Sequence, residues 1–534
     1  MNFKAEYFPY KQTGAFSKIV TDYIEGASSL QPFYLNPPSF EGIKNAISLK
    51  NKFPEYNRRV LSDALTEQYK GLPVNATVQK NIISLLEPNT FTICTAHQPN
   101  IFTGHLYFIY KIIHAIKLAG ELNVLVTDAH FVPVFYMGSE DADLQELGQV
   151  TINGRIYKWN TNQKGAVGRM KVDKAFIDLI EGMNGQLSIE KFGNNILSII
   201  KKAYTIGKTI EQATLKMVNE LFGDLGLVVI LPDNPALKKT FIPVVLKELN
   251  DQFSSNGVAE TIALFPKEYK IQAAGRSINL FYLKDDIRER LEISGDGFVV
   301  ANTSVSFTKS EMNEEVNNYP ERFSPNVILR PLYQEMILPN IVFIGGGGEL
   351  AYWLELKNVF EMSDIQFPVL ILRNSFMLLN PKIAASMNKL GFDPADIFKT
   401  EEELIKHIVE KESKVKLQLD SEKAALKNIY DKMAGSASIV DSTLKQHVIN
   451  LSLQALKRIT GLEKKIFRAE KKKFDAQQRQ IKKIKAILFP GGVLQERTDN
   501  LLPYFSIWGP DFLNAILHYS TGLKQQFCVL TKTE

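Results

Sequence analysis

Residues 95–111 constrain the fold more than any other part of the chain. Phe91, Ile93 and Cys94 read as the end of a short buried strand, and Leu106, Ile109, Ile112, Ile113, Ile116 and Leu118 recur at the three-and-four spacing of a buried helix face. Between them lies a polar loop with His97, Gln98, Asn100, Thr103, Gly104 and His105. A strand, a polar loop and a helix in this order put the loop at the carboxyl edge of a parallel sheet. There the unpaired N–H groups and dipole of the helix favour an anion. The expected class is α/β, with a Rossmann-like parallel-sheet core.

Apolar runs at 123–126 and 131–137 are expected as the next strands, separated by a turn-like Thr127-Asp128-Ala129-His130. A β-like piece at 150–159 and helical periodicity to about 223 suggest an inserted connecting region over 151–224. The sheet then resumes at 227–231 and a helix follows over 233–249. Residues 225–385 make the second half of the core with a β-rich insertion, including strand-like 278–283, 298–300, 304–307, 341–344 and 369–372. Upstream, residues 1–85 are broken by six prolines and read as a mostly helical wrapper around a core half at 86–150.

Beyond Pro381 the chain turns to Lys, Glu, Gln, Leu and Ala. Val415, Leu419, Glu422, Leu426, Ile429 and Met433 keep a four-three spacing, continued by Val448, Ala455, Ile459, Leu462, Ile466 and Ala469. An antiparallel α-helical coiled coil over 386–490 is expected, turning at Gly435-Ser436-Ala437-Ser438, its second helix running about 70 Å over 441–488. The tail, 491–534, is expected to fold back onto the core. Between residues 454 and 485 stand twelve Lys or Arg against three acids, so the net charge of +5 belongs to one helix and the rest of the chain is net negative. With only Phe467 and Phe474 to stack on bases, a solvated face or dimer surface fits this helix better than nucleic-acid binding. A length of 534 residues calls for two or three domains. The two cysteines are too few for a disulfide framework, no apolar run reaches the roughly 18 residues that span a bilayer, and a cytoplasmic location without membrane partners is expected.

Four stretches carry chemistry. His97 and His105 titrate near neutral pH and suit acid–base work or phosphate binding, with Gln98, Asn100, Thr103 and Gly104 as ligand contacts. Asp141 and Asp143, in the acidic run 139–146, either complement a helix dipole or orient a substrate ammonium, and an acid such as Glu140 or Asp141 could deprotonate an attacking amine. Gly345, Gly346, Gly347 and Gly348, followed by Glu349, Tyr352 and Trp353, permit positive φ and close backbone approach to a phosphate or adenine. Arg373, with Ser375, stands at a strand end where its fork can meet a carboxylate or phosphate, or pair with a nearby acid. No metal site is expected. The energy source is open, with ATP, ADP or another nucleotide as candidates.

Together these pieces resemble the bacillithiol biosynthesis cysteine-adding enzyme family (BshC). The resemblance runs through Phe102-Thr103-Gly104, Leu106-Tyr107, Tyr110-Lys111, Val132-Pro133-Val134-Phe135, Glu140-Asp141 with Asp143, Arg330-Pro331 and Gln334. It continues through Leu338-Pro339, the 345–353 run, Arg373 with Ser375, the coiled coil and Gln495-Glu496-Arg497. It implies a core related to the class I nucleotidyl-transfer superfamily and a homodimer formed through the coiled coil. It also implies ligation of the cysteine carboxyl to the amine of glucosaminyl-malate, giving bacillithiol. Residues 95–100 depart from the family's Thr-Gly-Gln-Gln-Ala-Gly, and of the superfamily's His-x-Gly-His, the stretch from Phe102 keeps only Gly104 and His105. Rival readings are a nucleotidyltransferase acting on another small acceptor, and a non-enzymatic dimeric scaffold or nucleic-acid binder.

Overall fold

The computed structural model describes residues 2–533 apart from Val74 and Ala274. At its centre is a five-stranded sheet with every neighbouring pair parallel, in the order Val369–Leu372, Asn340–Gly345, Thr90–His97, His130–Met137, Val228–Ile230. Side chains alternate across each strand. Cys94, Val132, Val134, Val228, Phe343 and Leu370 are buried on one face, and Phe91, Ile93, Phe131, Ile341, Ile344 and Ile371 on the other. Apolar side chains on both faces need cover on both, which is why these strands read as nearly continuous hydrophobic runs.

One cover is built from the N-terminal segment and the helices Pro235–Asp251, Arg330–Ile337 and Gly347–Leu354. The other is the helix Leu106–Leu125, thirteen of whose twenty residues are buried, too many for a helix with one face in solvent. On its far side lies a second, three-stranded sheet, and Tyr110 packs there on Phe376 with ring centroids 5.0 Å apart. In that sheet the C-terminal strand Phe527–Lys532 lies in the middle, antiparallel to Phe3–Phe8 and parallel to Ser375–Leu379. The N-terminal wrapper thus opens with a strand before turning helical, and the tail returns to its own sheet instead of extending the main one.

The run 123–126 is not a strand. The helix continues to Leu125, leaving Val124 and Leu125 exposed. Asn123 joins the helix end to the next strand, its amide donating to the Phe131 carbonyl (2.9 Å) and its side-chain oxygen accepting from the Phe131 N–H (2.8 Å). The inserted region holds the hairpin Gln149–Ile152 with Arg155–Lys158, then the helices Lys174–Leu187, Gly193–Ala203 and Ile210–Phe222. The β-rich insertion is a separate five-stranded sheet. Its strand Ile287–Ser294 carries Arg288, Glu289, Arg290 and Glu292, and Glu289 breaks the apolar alternation of Ile287, Leu291 and Ile293 that would have announced it.

The helical hairpin turns at Asp441, not at Gly435–Ser438. The first helix, Asp420–Val440, runs straight through that small-residue segment, and Asp441 caps the second, Ser442–Lys471, by accepting the Thr443 N–H at 2.8 Å. A glycine inside a helix costs only about 1 kcal/mol, whereas a capping Asp fixes where the next helix starts. The long second helix is broken by a 3-10 turn at Lys472–Phe474 before Asp475–Leu488. Because the C-terminal strand is the middle of its sheet, deletion of residues 527–534 leaves two strands without a shared neighbour. We expect the truncated protein to lose cooperative thermal unfolding and solubility; an unchanged melting curve by circular dichroism would count against this packing role.

Candidate active site

Four carboxyl ends of strands converge on a cleft of about 380 Å³. Ala96 and His97 end one strand and Gln98 follows it, Gly138, Glu140 and Asp141 follow the next, Gly346, Gly347 and Gly348 the third, and Arg373 the fourth. Tyr107 and Lys111 come from the buried helix, Arg330, Glu349 and Tyr352 from the covering helices, and Arg497 from the tail. The five-stranded sheet of the β-rich insertion and the segment after it supply the outer wall through Arg288, Pro325, Asn326 and Val327. The cleft presents five cations, Lys111, Arg288, Arg330, Arg373 and Arg497, against the carboxylates of Glu140, Asp141 and Glu349. Its excess positive charge favours an anionic ligand.

Each cation is committed differently. Arg373 is buried and forks onto Glu496, with contacts of 2.6 and 3.0 Å, and also donates to Ser375 Oγ at 2.9 Å. Its reading as a carboxylate or phosphate ligand is thereby narrowed: the guanidinium end is spent on an internal acid, and Ser375 is buried beneath it as part of that pair. Lys111 donates to the Ala96 carbonyl at 2.9 Å and pairs with Glu349; burial draws its pKa below the usual value. Glu349 also accepts the Gly346 N–H at 2.8 Å. Arg330 donates to Gln334 (3.1 Å) and to the Tyr352 hydroxyl (2.9 Å), and neither partner carries charge to offset it. Arg497 makes no side-chain hydrogen bond or ion pair among the described residues, and Arg288 stands 3.6 Å from Asp141, too far for a hydrogen bond.

His97 lines the cleft edge-on to Tyr107 and Phe108, and its Nε2 has no hydrogen-bond partner. Burial, reinforced by the neighbouring Lys111 cation, holds its pKa well below the usual histidine range, so the ring is neutral at physiological pH. Gln98 donates to Asp141 at 3.1 Å, and Asp141 also accepts the Ala142 N–H at 2.8 Å.

The remaining residues singled out in the sequence stand elsewhere. His105 faces away from the cleft, its Nδ1 3.2 Å from the Thr498 carbonyl. Asp143 is exposed and caps the short helix Leu144–Leu147 by accepting the Glu146 N–H at 3.0 Å, the dipole role already open to it. Trp353 is buried against Phe343, with centroids 4.3 Å apart, and is core. Gly345 fits where a Cβ would meet Phe343 and Leu350. None of the glycines 345–348 has positive φ, so their small size serves packing and leaves the backbone at Gly348 open.

The loop carrying Asn100, Thr103 and Gly104 lies beneath the tail, off the cleft. Asn500 donates to the Phe102 carbonyl at 2.9 Å and to the Gly104 carbonyl, while the Leu106 N–H at the helix start donates to the Asp499 carbonyl at 2.8 Å. An expected anion site at that helix end is therefore already capped by protein; the helix start that faces the cleft is that of Gly347–Leu354, where Glu349 takes the Gly346 N–H. Phe102, Thr103 and Gly104 all have positive φ (51, 69 and 59°), a conformation costly for the first two. Lys111, Arg288, Arg330, Arg497, Tyr107 and Tyr136 went unassigned in the sequence. All but Arg288 and Tyr136 lie within the segments that carry the resemblance, which was the available signal. Gly104→Ala puts a Cβ 2.7 Å from that of Asn100 at a φ disfavoured for alanine, and we expect a loss of about 2–4 kcal/mol in chemical denaturation. A loss below about 0.5 kcal/mol would show that the loop relaxes freely.

Comparison with known proteins places this architecture. The family model described as "Bacillithiol biosynthesis BshC, N-terminal Rossmann-like domain" matches residues 3–374, and "Bacillithiol biosynthesis BshC, C-terminal coiled-coil domain" matches 376–532. Relatives named "Putative cysteine ligase BshC" from Flavobacterium johnsoniae and Flavobacterium psychrophilum are 36% and 37% identical, each alignment covering 98% of both chains. One from Cytophaga hutchinsonii is 37% identical over 94% of both. A Rossmann-like parallel sheet, a C-terminal helical hairpin and full-length similarity converge: the chain belongs to the BshC family of bacillithiol biosynthesis ligases.

Proposed function

We propose that this protein joins the carboxyl of cysteine to the amine of glucosaminyl-malate, forming the amide of bacillithiol in the cytoplasm. The observation that carries this reading is the cleft itself, where Arg330 and Arg497 have no carboxylate partner among the described residues. An anionic substrate supplies what these cations lack, and the malate carboxylates are of that kind. Asp141, at the same mouth, is placed to hold the amine. Amide formation from a carboxylate requires activation, and the charge developed must be stabilised. Lys111, already paired with Glu349, and the N-terminal end of the Gly347–Leu354 helix are the groups we assign to that work, and neutral His97 can carry a proton between donor and acceptor. A nucleotide is the class of co-substrate we infer, its phosphates facing Gly346, Gly347 and Gly348.

Purified protein with cysteine, glucosaminyl-malate and ATP, or without nucleotide, is expected to yield a product of bacillithiol mass. No product under any condition, cell extract included, would sink the assignment. Within it, Arg330→Met or Arg497→Met should raise KM for glucosaminyl-malate roughly 10- to 100-fold, with Arg330→Lys recovering part. His97→Ala should lower kcat on the order of 100-fold. His105→Ala should leave both constants nearly unchanged, because its contact is with the tail.

We also infer that the hairpin forms a homodimer. Ile429, Met433 and Leu462 repeat at heptad positions yet remain 54%, 52% and 50% exposed, so two helices alone do not cover the stripe. Sedimentation should give a dimer for the native chain and a monomer for the Ile429→Glu, Leu462→Glu double variant. A dimer that survives both charges would move the interface elsewhere.

A further inference from the structure

Behind the cleft, three carboxylates meet two cations. The turn Val167–Arg169 of the inserted region is stitched to the loop after the strand His130–Met137, with the Gly168 N–H donating to the Ser139 carbonyl (2.9 Å) and the Val167 N–H to the Asp141 carbonyl (2.7 Å). The approach is so close that a Cβ on Gly168 would lie 2.5 Å from that of Ser139. Arg169 forks onto Asp233 at 2.6 and 2.7 Å, and Lys238 donates to Glu140 at 2.5 Å. Both cations are thereby used. The third acid, Glu211, opens the helix Ile210–Phe222; its Oε2 is cut off from solvent without a hydrogen-bond partner, and so is Ser139 Oγ.

A carboxylate accepts hydrogen bonds and cannot donate, so with the nearby Arg169 forked onto Asp233 and one oxygen shut off from solvent and orphaned, the ion is disfavoured. The N-terminus of its helix favours the charge, but that effect is weak beside desolvation next to a second carboxylate. As a carboxylic acid, Glu211 gains a donor and can exchange hydrogen bonds with Ser139. We propose that Glu211 is a positioning residue which, in its protonated form, holds the Ser139–Glu140–Asp141 loop against the inserted region and so sets the cleft wall. The groups facing it are Ser139 and Glu140 from that loop, Asp233 from the loop after Val228–Ile230 and Arg169 from the docking turn. Burial, and then the Asp233 charge, push its pKa up to about 8.

The sign follows from linkage. The unfolded chain releases this proton near the ordinary carboxyl pKa and the folded chain only near 8, so stability falls as pH rises between those values and levels off above. Ionised Glu211 adds an uncompensated charge beneath the loop, and the wall it holds loosens. That consequence for ligand affinity rests on our reading of the cleft as the glucosaminyl-malate site, whereas the proton itself does not.

The test compares wild type with Glu211→Gln, which keeps a donor and an acceptor but cannot ionise. Thermal midpoints would be recorded without ligand from pH 5 to 9.5, and glucosaminyl-malate affinity by calorimetry at pH 6.5 and 9. We expect the variant's midpoint to gain on the wild type steadily from pH 5 to about 8. The wild-type Kd should rise about tenfold between the two pH values and that of the variant less than twofold. Ser139→Ala serves if Glu211→Gln does not fold. It removes the hydroxyl that can donate to Glu211 once ionised, and should shift the wild-type decline to higher pH. Parallel midpoint curves for wild type and Glu211→Gln, or an unmoved decline in Ser139→Ala, overturn the proposal. Absence of glucosaminyl-malate binding in the wild type defeats the reading of the cleft and the affinity claim with it, while the midpoint curves still decide the proton.

Discussion

The buried pair of Arg373 and Glu496 is the contact on which the rest of the structure depends. It joins the end of a core strand to the C-terminal segment, while the Tyr10 hydroxyl donates to the Arg373 carbonyl at 3.0 Å and brings in the N-terminal wrapper. Three regions far apart in sequence are thus fixed at one point. Removing one partner of such a pair typically costs about 3–5 kcal/mol, because the other charge is left buried and alone. Ser375 adds a further hydrogen bond on each side of the pair. An arginine at a strand end thus aligns the cleft floor without offering its guanidinium end to a ligand.

The polar loop after the central strand has a similar double character. Its backbone is held in a costly conformation at Phe102 and Thr103, and the tail braces it through Asn500 and Asp499. Strain of this kind persists only where the surroundings over-determine it. Here the brace aims His97 and Gln98 into the cleft at one end of the loop, and starts the helix that carries Tyr107 and Lys111 at the other. The loop works through what it positions on either side, and its middle is scaffold.

Much of this was legible in the sequence, and the failures have physical causes. The parallel sheet announced itself because strands buried on both faces are almost wholly apolar, and the helical hairpin because its repeat is strict. Short apolar runs such as 123–126 carry no period long enough to separate a helix end from a strand. Charged strands such as Ile287–Ser294 interrupt their apolar alternation with a charge, here Glu289 between Ile287 and Leu291. At the site, the sequence marked His97, Gln98, Asp141, Glu349, Tyr352 and Arg373, all of which reach the cleft. His105, Asp143, Trp353 and Ser375 were chemically equal candidates. What separates the two groups is which way each side chain faces and which internal partner it meets; for His105 and Ser375 that partner lies more than a hundred residues away, for Asp143 and Trp353 it is local.

The C-terminal strand has a consequence for how the protein is made. A chain leaving the ribosome presents Phe3–Phe8 long before Phe527–Lys532, yet the second must lie between the first and Ser375–Leu379. Domains generally fold as they emerge, so the core sheet can assemble early, but Phe3–Phe8 must wait for a partner more than 500 residues downstream. Glu496, Arg497 and Asn500 also follow the core strands. A nascent chain that has not reached them therefore has a sheet but no finished cleft.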